Sequence, residues 1–300
     1  MRANSPTSET LRASVSTAPI IASQGEGHNA KGGRPTSWAD IVESLVQGLR
    51  AVGVQGMRII IVADMHSNLE AFEAVLAHAA DGGLIDRLWC LGDVVGYGAD
   101  PGACVALLRR YPHAAVVGNH DLASVGELGS DDFNPVAARA AAWTGEHLSA
   151  EDNQYLSSLP FVLVEGDFTL VHGSLRWPAW EYLVSAEAAE EHFQLQETPY
   201  SLVGHSHVPF VAVEREGSSP VMVPLRDGDV VELGEGRLIV NPGGVGQPRD
   251  GDPRASYAIY DSEARTLTLH RVEYDLETAQ RKIREAGLPS YLAERLAHGR

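Results

Sequence analysis

The chain has 300 residues, of which 44% are hydrophobic, so it can form one large domain or two small ones with an ordinary buried core. Its formal net charge is −17, from 40 acidic and 23 basic residues. This balance excludes a general nucleic-acid surface and an anionic-membrane surface, and the lack of an eighteen-residue apolar run excludes a transmembrane span.

The N-terminal segment is predicted to lie outside the globular domain. Residues 1 to about 36 are rich in Ser, Thr, Ala and Gly, and such a composition predicts disorder because it buries too little apolar surface to offset the entropy of ordering. Apolar residues at near-helical spacing predict a short helix over 37–52. We therefore expect an extension over 1–56 and a single domain over 57–300, with Met57 as an alternative start of the protein.

The cysteines and the chain start indicate the compartment. Cys90 and Cys104 are too few for a disulfide scaffold, and they lie in a predicted strand and the helix after it. Both are expected to be buried, reduced thiols. The apolar stretch at 17–22 is too short for a secretory signal and contains Pro19. These features predict a cytoplasmic protein.

From Met57 onward, strands alternate with helices. Apolar runs predict three buried strands, at 58–63, 88–91 and 115–117. A capping-box sequence at 67–70 starts the first helix, and a proline in the first turn marks the second helix at 101–110. This alternation predicts right-handed crossovers and a mainly parallel sheet.

The second half of the chain has a different pattern. Between His120 and Leu159 the apolar spacing is helical, which predicts a small helical excursion. After Pro160, shorter runs predict strands at 161–164, 168–171, 201–203, 209–214, 221–225, 229–233, 237–240, 256–261 and 266–273. Turn pairs predict antiparallel hairpins at 165–166, 227–228 and 235–236. Helices are predicted to close the chain over 277–297, so two sheets packed face to face and flanked by helices fit this α/β order.

Polar clusters follow five of the apolar runs. They read Asp64-Met-His66, Gly92-Asp93, Gly118-Asn119-His120-Asp121, Val171-His172-Gly173 and Gly204-His205-Ser-His207. Because the carboxyl ends of neighbouring strands in an α/β sheet open into one crevice, these side chains are expected to converge. Asp, His and Asn without a nearby cysteine suit two borderline-hard divalent ions better than one structural zinc. The pattern predicts a two-metal hydrolase.

This ordered series resembles the calcineurin-like metallophosphoesterase superfamily, in particular its small bacterial phosphodiesterase-type branch. The family pattern of Asp-x-His, Gly-Asp, Gly-Asn-His, His and Gly-His-x-His is met in order between about Met57 and Tyr257. The resemblance implies an α/β/β/α sandwich of two mixed sheets flanked by helices. It also implies hydrolysis of small phosphate esters, above all phosphodiesters, by a hydroxide that bridges two divalent cations.

The resemblance also implies a ligand set. The first metal is expected to be bound by Asp64, His66 and His207, and the second by Asn119, His172 and His205. Asp93 is expected to bridge them, because a carboxylate can hold two cations about 3.5–4 Å apart. Mn²⁺ is the ion expected, with Fe, Ni or Zn as alternatives, because such sites accept several first-row ions.

The two residues that directly follow the expected ligand Asn119 are candidates for catalysis. His120 is expected to be the general acid that protonates the leaving oxygen, with a fourth ligand or a surface histidine as the alternatives. Asp121 is expected either to orient His120 or to cap the next segment.

Four further residues are candidates for substrate binding. Arginines that can grip a phosphate with two hydrogen bonds are Arg176, Arg249 and Arg254, and surface ion pairs are the competing interpretation for each. Tyr97 is expected either to stack on a base or aryl leaving group, or to belong to the core or rim.

One departure from the wider superfamily favours a diesterase. Protein phosphatases and diadenosine tetraphosphatases of the superfamily carry an Asp-Arg pair shortly after Gly-Asp, whereas the segment 92–98 here has no arginine. A nucleotide or protein phosphomonoesterase is the second hypothesis. A metal-holding scaffold without catalysis is the third, and the retained His120 disfavours it. The sequence gives no signal for the oligomeric state.

Overall fold

The structure is a computed structural model, and it describes residues 56–129 and 133–300. The predicted N-terminal extension and its helix over 37–52 lie outside the described residues. Within the described part, twelve strands form two six-stranded sheets, and eight helices accompany them.

The bounds of these elements follow the chain. The strands are β1 Arg58–Val62, β2 Arg87–Cys90, β3 His113–Ala115, β4 Val162–Glu165, β5 Phe168–Val171, β6 Tyr200–Leu202, β7 Phe210–Arg215, β8 Ser218–Pro224, β9 Val230–Glu232, β10 Leu238–Asn241, β11 Ala255–Asp261 and β12 Thr266–Val272. The helices are α1 Leu69–Asp81, α2 Pro101–Arg109, α3 Asn119–Ser124, α4 Pro135–His147, α5 Ala150–Ser157, α6 Ala186–Leu195, α7 Leu276–Glu285 and α8 Ser290–Leu296.

Both sheets are mixed. The first has the strand order β3-β2-β1-β11-β12-β9, in which β1, β2 and β3 are parallel, as the alternation of strands and helices predicts. The second has the order β4-β5-β6-β10-β7-β8, in which β5, β6 and β10 are parallel. The remaining strands pair antiparallel with their neighbours. The predicted sandwich of two mixed sheets flanked by helices is confirmed.

β1 shows how the layers bury their side chains. Ile59 and Ile61 belong to the core between the two sheets, together with Phe168 of β5, whereas Ile60 belongs to the core beneath α1, with Phe72. A strand covered on both faces is apolar at every position, which explains why β1 appears in the sequence as a continuous run. Cys90 and Cys104 are buried free thiols, as predicted, and burial raises the pKa of both.

Two of the predicted hairpins are wrong. β9 lies between the turns at 227–228 and 235–236, and it pairs with β12 in the first sheet. β8 and β10, on either side of it in the chain, belong to the second sheet. The chain therefore crosses between sheets at both turns, which local turn chemistry does not reveal. The hairpin at 165–166 is confirmed, and another turn, at 216–217, joins β7 to β8.

The helices need two corrections. α1 is capped by the side chain of Asn68, which accepts a hydrogen bond from the Ala71 amide, and not by Ser67. α6 is not predicted by the sequence pattern, because two of its buried residues are small alanines and many of its other residues are polar. The predicted helical excursion after His120 is present as α3, α4 and α5. In the part of the chain that the structure describes, no helix has the length and apolarity needed to cross a bilayer.

Candidate metal centre

The polar clusters lie where strands of the two sheets end. Asp64 and His66 follow β1, Asp93 follows β2, His172 follows β5, and His205 comes after β6. Each of the seven predicted metal ligands is at most 3% exposed. The site therefore lies inside the molecule, where loops from both sheets meet.

The ligand atoms form two groups that share Asp93. One group consists of Asp64, His66, Asp93 and His207, and the other contains Asp93, His172 and His205, with the ligand atoms of each group within 4.8 Å of one another. Asn119 belongs with the second group, because its Oδ1 lies 3.2 Å from His172 Nε2. Asp93 Oδ2 lies 3.5 Å from His66 Nε2 and 3.4 Å from His172 Nε2. The structure thus brings all seven residues together, in the two sets that the resemblance implies.

A backbone carbonyl orients each of the four histidines. The ring nitrogen that points away from the centre donates to a carbonyl oxygen within 3.1 Å: His66 to Val95, His172 to Leu91, His205 to Trp180 and His207 to Gln247. A carbonyl oxygen only accepts, so a neutral ring keeps its proton there and offers a lone pair toward the centre. Metal-binding histidines are held in this way. Sequence reasoning misses these partners, because any residue type can supply a carbonyl.

Lone pairs face one another in the first group. His207 Nε2 lies 3.2 Å from both His66 Nε2 and Asp64 Oδ1. Burial lowers the pKa of both imidazoles, and the charge of Arg249 lowers that of His207 further, so both rings are neutral near pH 7. Neither oxygen of Asp64 has a hydrogen-bond donor among the described residues. This arrangement is unfavourable by itself, and a divalent cation shared by these atoms makes it favourable.

The second group has a different charge state. Burial alone would lower the pKa of His172, but the Asp93 carboxylate outweighs burial and raises it to about 9. Burial lowers the pKa of His205, whose Nδ1 lies 3.1 Å from His172 Nε2. The proton on His172 and a divalent cation compete for the same nitrogen, because a metal ligand must be deprotonated.

The predicted ligands also lie on strained backbone. Among the described residues, eight that are not glycine have a positive φ, and five of these are predicted ligands: Asp64, His66, Asp93, His205 and His207. Their φ values lie between 46° and 62°. This conformation costs on the order of 1–3 kcal/mol per residue and persists where the surrounding structure imposes it, which is typical of functional sites.

Two glycines allow the loops after β2 and β3 to touch. A Cβ at Gly118 would overlap the side chain and backbone nitrogen of Asp93. Gly92 has a φ of 89°, and a Cβ there would lie 2.7 Å from the nitrogen of Gly118. Glycine is therefore needed at both positions for Asp93 to reach the centre.

His120 lies beside the first group. Its amide donates to Asp93 Oδ1 at 2.8 Å, and its ring meets the His66 ring edge-on, with centroids 4.9 Å apart. It is 4% exposed, so it is not a surface histidine. Its Nδ1 is fully buried without a hydrogen-bond partner among the described residues, which leaves Nε2 as the nitrogen open to a substrate. Burial lowers the pKa of His120 to about 4.

The side chain of Asp121 accepts hydrogen bonds from backbone amides and does not contact the His120 ring through a hydrogen bond. Its Oδ1 accepts a hydrogen bond from the Val95 amide at 3.1 Å, and its Oδ2 accepts one from the Gly118 amide at 3.0 Å. Burial and the neighbouring Asp93 raise the pKa of Asp121 to about 7. Of its two predicted roles, the capping of α3 matches the structure, and the orientation of His120 does not.

Two of the three arginines predicted to bind phosphate form ion pairs with acidic residues. Arg176 pairs with Glu181 and Glu191, and Arg254 pairs with Asp252 and Asp227. A guanidinium already held by two carboxylates has little attraction left for a phosphate. The structure shows the ion pairs of the competing interpretation for Arg176 and Arg254, and it does not favour substrate binding by either arginine.

Arg249 is in a different position. Its Nη2 donates to Gln247 Oε1 at 3.0 Å and its Nη1 lies 3.5 Å from the Tyr182 hydroxyl, and it has no Asp or Glu partner within 4 Å among the described residues. After burial, its charge is a further cause that lowers the pKa of His205 and His207. The ring of Tyr182, which no sequence motif singles out, stacks on His205 with centroids 4.0 Å apart. Arg249 therefore lies close enough to affect the histidines of both groups, and it forms no ion pair with a described Asp or Glu.

Tyr97 is part of the wall of the site. Its ring centroid lies 4.7 Å from that of His66 and 4.3 Å from that of His120, and the residue is 7% exposed. Burial raises the pKa of its phenol. The core interpretation of Tyr97 matches this burial better than stacking on a substrate.

Comparison with known proteins identifies the family. The sequence profile of the calcineurin-like phosphoesterase superfamily domain matches residues 57–265. An uncharacterised protein of Methanocaldococcus jannaschii is 40% identical over 247 residues, which are 81% of this chain and 98% of that protein. The symmetrical bis(5′-nucleosyl)-tetraphosphatase of Glaesserella parasuis is 28% identical over 165 residues, 53% of this chain and 57% of that protein.

Solved structures agree with this assignment. The crystal structure of a metallophosphoesterase from Sphaerobacter thermophilus is 49% identical, with a TM-score of 0.74, and the match covers 82% of this chain and all of that one. A hypothetical protein from Pyrococcus horikoshii, at 20% identity and a TM-score of 0.68 over 81% of this chain and 99% of its own, has the same fold. The clustered ligands suit the divalent metals that this family binds. The chain thus belongs to the calcineurin-like phosphoesterase superfamily, and this membership supports a phosphoric ester hydrolase that binds divalent metals.

Proposed function

We propose that this protein hydrolyses phosphate esters at a centre that holds two divalent cations, and that it prefers phosphodiesters to monoesters. The observation that carries the proposal is the pair of converging ligand groups that share Asp93, together with the first group's neutral His66 and His207 rings facing Asp64 oxygens that lack donors among the described residues. When bound there, divalent cations supply Lewis acidity and lower the pKa of water toward neutrality. Mn²⁺ is the ion we favour, with Fe, Ni and Zn as the other members of a test panel.

The ligands divide the charge unequally between the two groups. The first group has the carboxylates of Asp64 and Asp93, whereas the second has only the shared Asp93. Asn119 adds an oxygen to the second group without adding a negative charge. The neutral Asn119 amide would thus leave a cation held by the second group with more of its Lewis acidity.

Arg249 positions the phosphoryl group. A guanidinium offers donors in a fixed plane that matches two phosphoryl oxygens, and Arg249 has no competing acidic partner among the described residues. Its contact with Gln247 and the neighbouring Tyr182 hydroxyl restricts its side chain. In a chain of net charge −17, this cation helps to attract an anionic substrate to the centre.

His120 protonates the leaving oxygen through Nε2. Burial keeps the pKa of the ring at about 4, and an anionic phosphate next to it raises that pKa, so protonation follows substrate binding. His120→Ala is expected to lower kcat by about 10²–10⁴, the usual contribution of a positioned acid. Metal content measured by mass spectrometry should stay at the wild-type level, because His120 is in neither ligand group.

The leaving group provides a sharper control for His120. An ester that releases p-nitrophenolate needs little help from an acid, whereas an alkyl ester needs a proton on the departing oxygen. The loss of activity in His120→Ala should therefore be larger for the alkyl ester. A variant with full activity, or with equal losses for both esters, would contradict the assignment.

The substrate preference is tested with purified protein and a metal panel. Bis(p-nitrophenyl) phosphate should be hydrolysed with a higher kcat/KM than p-nitrophenyl phosphate, and the reverse order would favour a phosphomonoesterase. The similarity over 53% of the chain to a bis(5′-nucleosyl)-tetraphosphatase makes a nucleotide polyphosphate the second candidate substrate. No turnover of any ester with any metal would favour the scaffold hypothesis.

The cytoplasmic location of the protein stays a prediction.

A further inference from the structure

A partly exposed aromatic ring lies beside the proposed general acid. In the part of the chain that the structure describes, the rings of His66, Tyr97 and Phe133 surround that of His120. His66 belongs to the first ligand group and Tyr97 is buried, whereas Phe133 keeps part of its surface in solvent. Phe133 meets the His120 ring edge-on, with centroids 5.0 Å apart. It is therefore the most accessible of these three neighbours of His120.

A second partly exposed ring continues this surface to the other ligand group. The Trp180 ring packs against that of Phe133, with centroids 5.1 Å apart and an angle of 62° between the planes. The backbone oxygen of Trp180 accepts the hydrogen bond from His205 at 3.1 Å. The two rings thus form an aromatic surface, which we call the Phe133–Trp180 surface, between the acid His120 and the second ligand group.

Both rings are held in place by the core behind them. Phe133 packs on the apolar cluster that contains Ala137 and Ala140 of α4, and Trp180 packs on another cluster, which consists of Val117, Leu122 and Ala179. A ring that is fixed before binding loses little conformational entropy when a ligand packs on it. The surface is therefore suited to recognise the shape of a ligand.

The loop that carries Trp180 is fixed as well. The Gly173 amide donates to the backbone oxygen of Pro178 at 2.6 Å, so the loop folds back on the strand end that supplies a metal ligand. Glu181, the residue after Trp180, accepts a hydrogen bond from the Ser174 hydroxyl. These contacts on both sides of Trp180 in the loop keep its ring beside Phe133.

The position of the acid decides which part of a substrate meets this surface. A general acid must lie next to the oxygen that departs, because it protonates that oxygen. The other phosphoryl oxygens are drawn to the ligand groups and to Arg249, whose hydrogen-bonding neighbours are Gln247 and Tyr182. The organic part of the leaving group is attached to the oxygen beside His120, and Phe133 is the accessible ring there.

We infer that the Phe133–Trp180 surface binds the leaving alcohol of the substrate and selects an alcohol that carries a planar aromatic ring, such as a nucleoside. Uncharged rings attract another aromatic ring more strongly than a saturated group of equal size. This inference rests on the proposed function and names its substrate class. Hydrolysis then forms a bond from phosphorus to the oxygen of water and breaks the bond to this alcohol. The alcohol oxygen takes the proton of His120, and a proton of the attacking water replaces it.

The test uses one substrate with two competing leaving groups, benzyl cyclohexylmethyl phosphate, and the full-length protein with Mn²⁺. The two alcohols have nearly the same size and similar acidity, and they share one phosphate, so only the aromatic ring distinguishes them. The ratio of released benzyl alcohol to released cyclohexylmethanol, measured by gas chromatography, reports which alcohol lies beside His120. The wild type should release benzyl alcohol in about three- to tenfold excess, the usual effect of an aromatic contact.

Substitution of the two rings should remove this selectivity. Phe133→Leu and Trp180→Leu should each lower the ratio, and the double variant should bring it close to one. The ratio does not depend on the amount of folded or metal-loaded protein, so a variant of low stability still gives a result. Trp177→Leu is the matched control, because Trp177 lies in the same loop but is 61% exposed, and it should keep the wild-type ratio. A wild-type ratio near one, or an excess that persists in the double variant, overturns the inference.

Failure of the proposed function would look different. Benzylphosphonate and cyclohexylmethylphosphonate are not hydrolysed, and calorimetry gives their Kd values for the Mn²⁺-loaded protein. A protein that hydrolyses no phosphate ester but prefers benzylphosphonate, with the preference lost in the double variant, supports the aromatic surface and contradicts the proposed activity. Equal Kd values without turnover contradict both. Turnover of the mixed diester with a product ratio near one supports the activity and contradicts the aromatic surface.

Discussion

The Asp64 carboxylate offers a direct test of the metal centre, because both its oxygens are fully buried and have no hydrogen-bond donor among the described residues. Asp64→Asn removes the charge, keeps the shape and turns an N–H group toward the lone pair of His207 Nε2, which lies 3.2 Å from Asp64 Oδ1. Asparagine also tolerates the φ of 56° at this position. We therefore expect the variant to be more stable than the wild type in the presence of a chelator.

The size of the effect follows from the burial of the carboxylate. A buried polar group without a partner costs about 1–3 kcal/mol, and for a domain of this size each kcal/mol changes Tm by about 2–4 °C. Asp64→Asn should thus raise Tm in EDTA by roughly 2–12 °C. In Mn²⁺ at a hundred times its Kd, the wild type should gain about 2.7 kcal/mol per site, and the variant should gain less because it lacks an anionic ligand.

Thermal unfolding at pH 8, first with EDTA and then with excess Mn²⁺, measures both effects. Asp121→Asn is the matched control, because this residue is equally buried but its two oxygens accept the amides of Val95 and Gly118. At pH 8 the Asp121 carboxyl group is ionised, because its pKa is about 7. Asp121→Asn replaces one accepting oxygen by an NH₂ group that faces a backbone N–H donor, so this variant should have a lower Tm. An Asp64→Asn protein that is less stable than the wild type in EDTA would refute the reasoning, since the carboxylate would then have a favourable partner.

Two further predictions concern pH and substrate affinity. Burial lowers the pKa of His192 from 6.5 to about 4, and its Nδ1 accepts the Leu175 amide. As pH falls, the unfolded chain takes up this proton first, so about 3 kcal/mol of stability should be lost between about pH 6.5 and 4. The His192→Asn variant keeps a hydrogen-bond acceptor, and its free energy of unfolding, measured by urea titration, should no longer fall in this way between about pH 6.5 and 4. An unchanged dependence of this free energy on pH would contradict the assignment. Arg249→Ala should raise KM for bis(p-nitrophenyl) phosphate by about tenfold or more, whereas Arg176→Ala should stay near wild type because its guanidinium is held by acidic residues; equal effects would count against the difference drawn between them.

The sequence by itself determined the sandwich and the composition of the ligand groups. Parallel strands had to place Asp64, Asp93 and Asn119 at a common edge, because each follows an apolar run and helices connect the runs. Residue type then limited the chemistry, since few side chains other than His, Asp and Asn bind first-row metals at such a place. These properties are local in the chain, and periodicity and spacing record them directly.

The tertiary structure alone decided the partners of each side chain. In the folded chain, β9 lies in the first sheet, whereas its chain neighbours β8 and β10 lie in the second. Arg176 and Arg254 form ion pairs with carboxylates, and Asp121 accepts hydrogen bonds from backbone amides. The fold also brought Arg295 of α8 to 6.0 Å from the ring of Tyr97, which packs on His66. A long charged side chain can reach many acceptors. The acceptor that it binds depends on distances set by the packing of segments remote in the chain, and no local sequence pattern contains these distances.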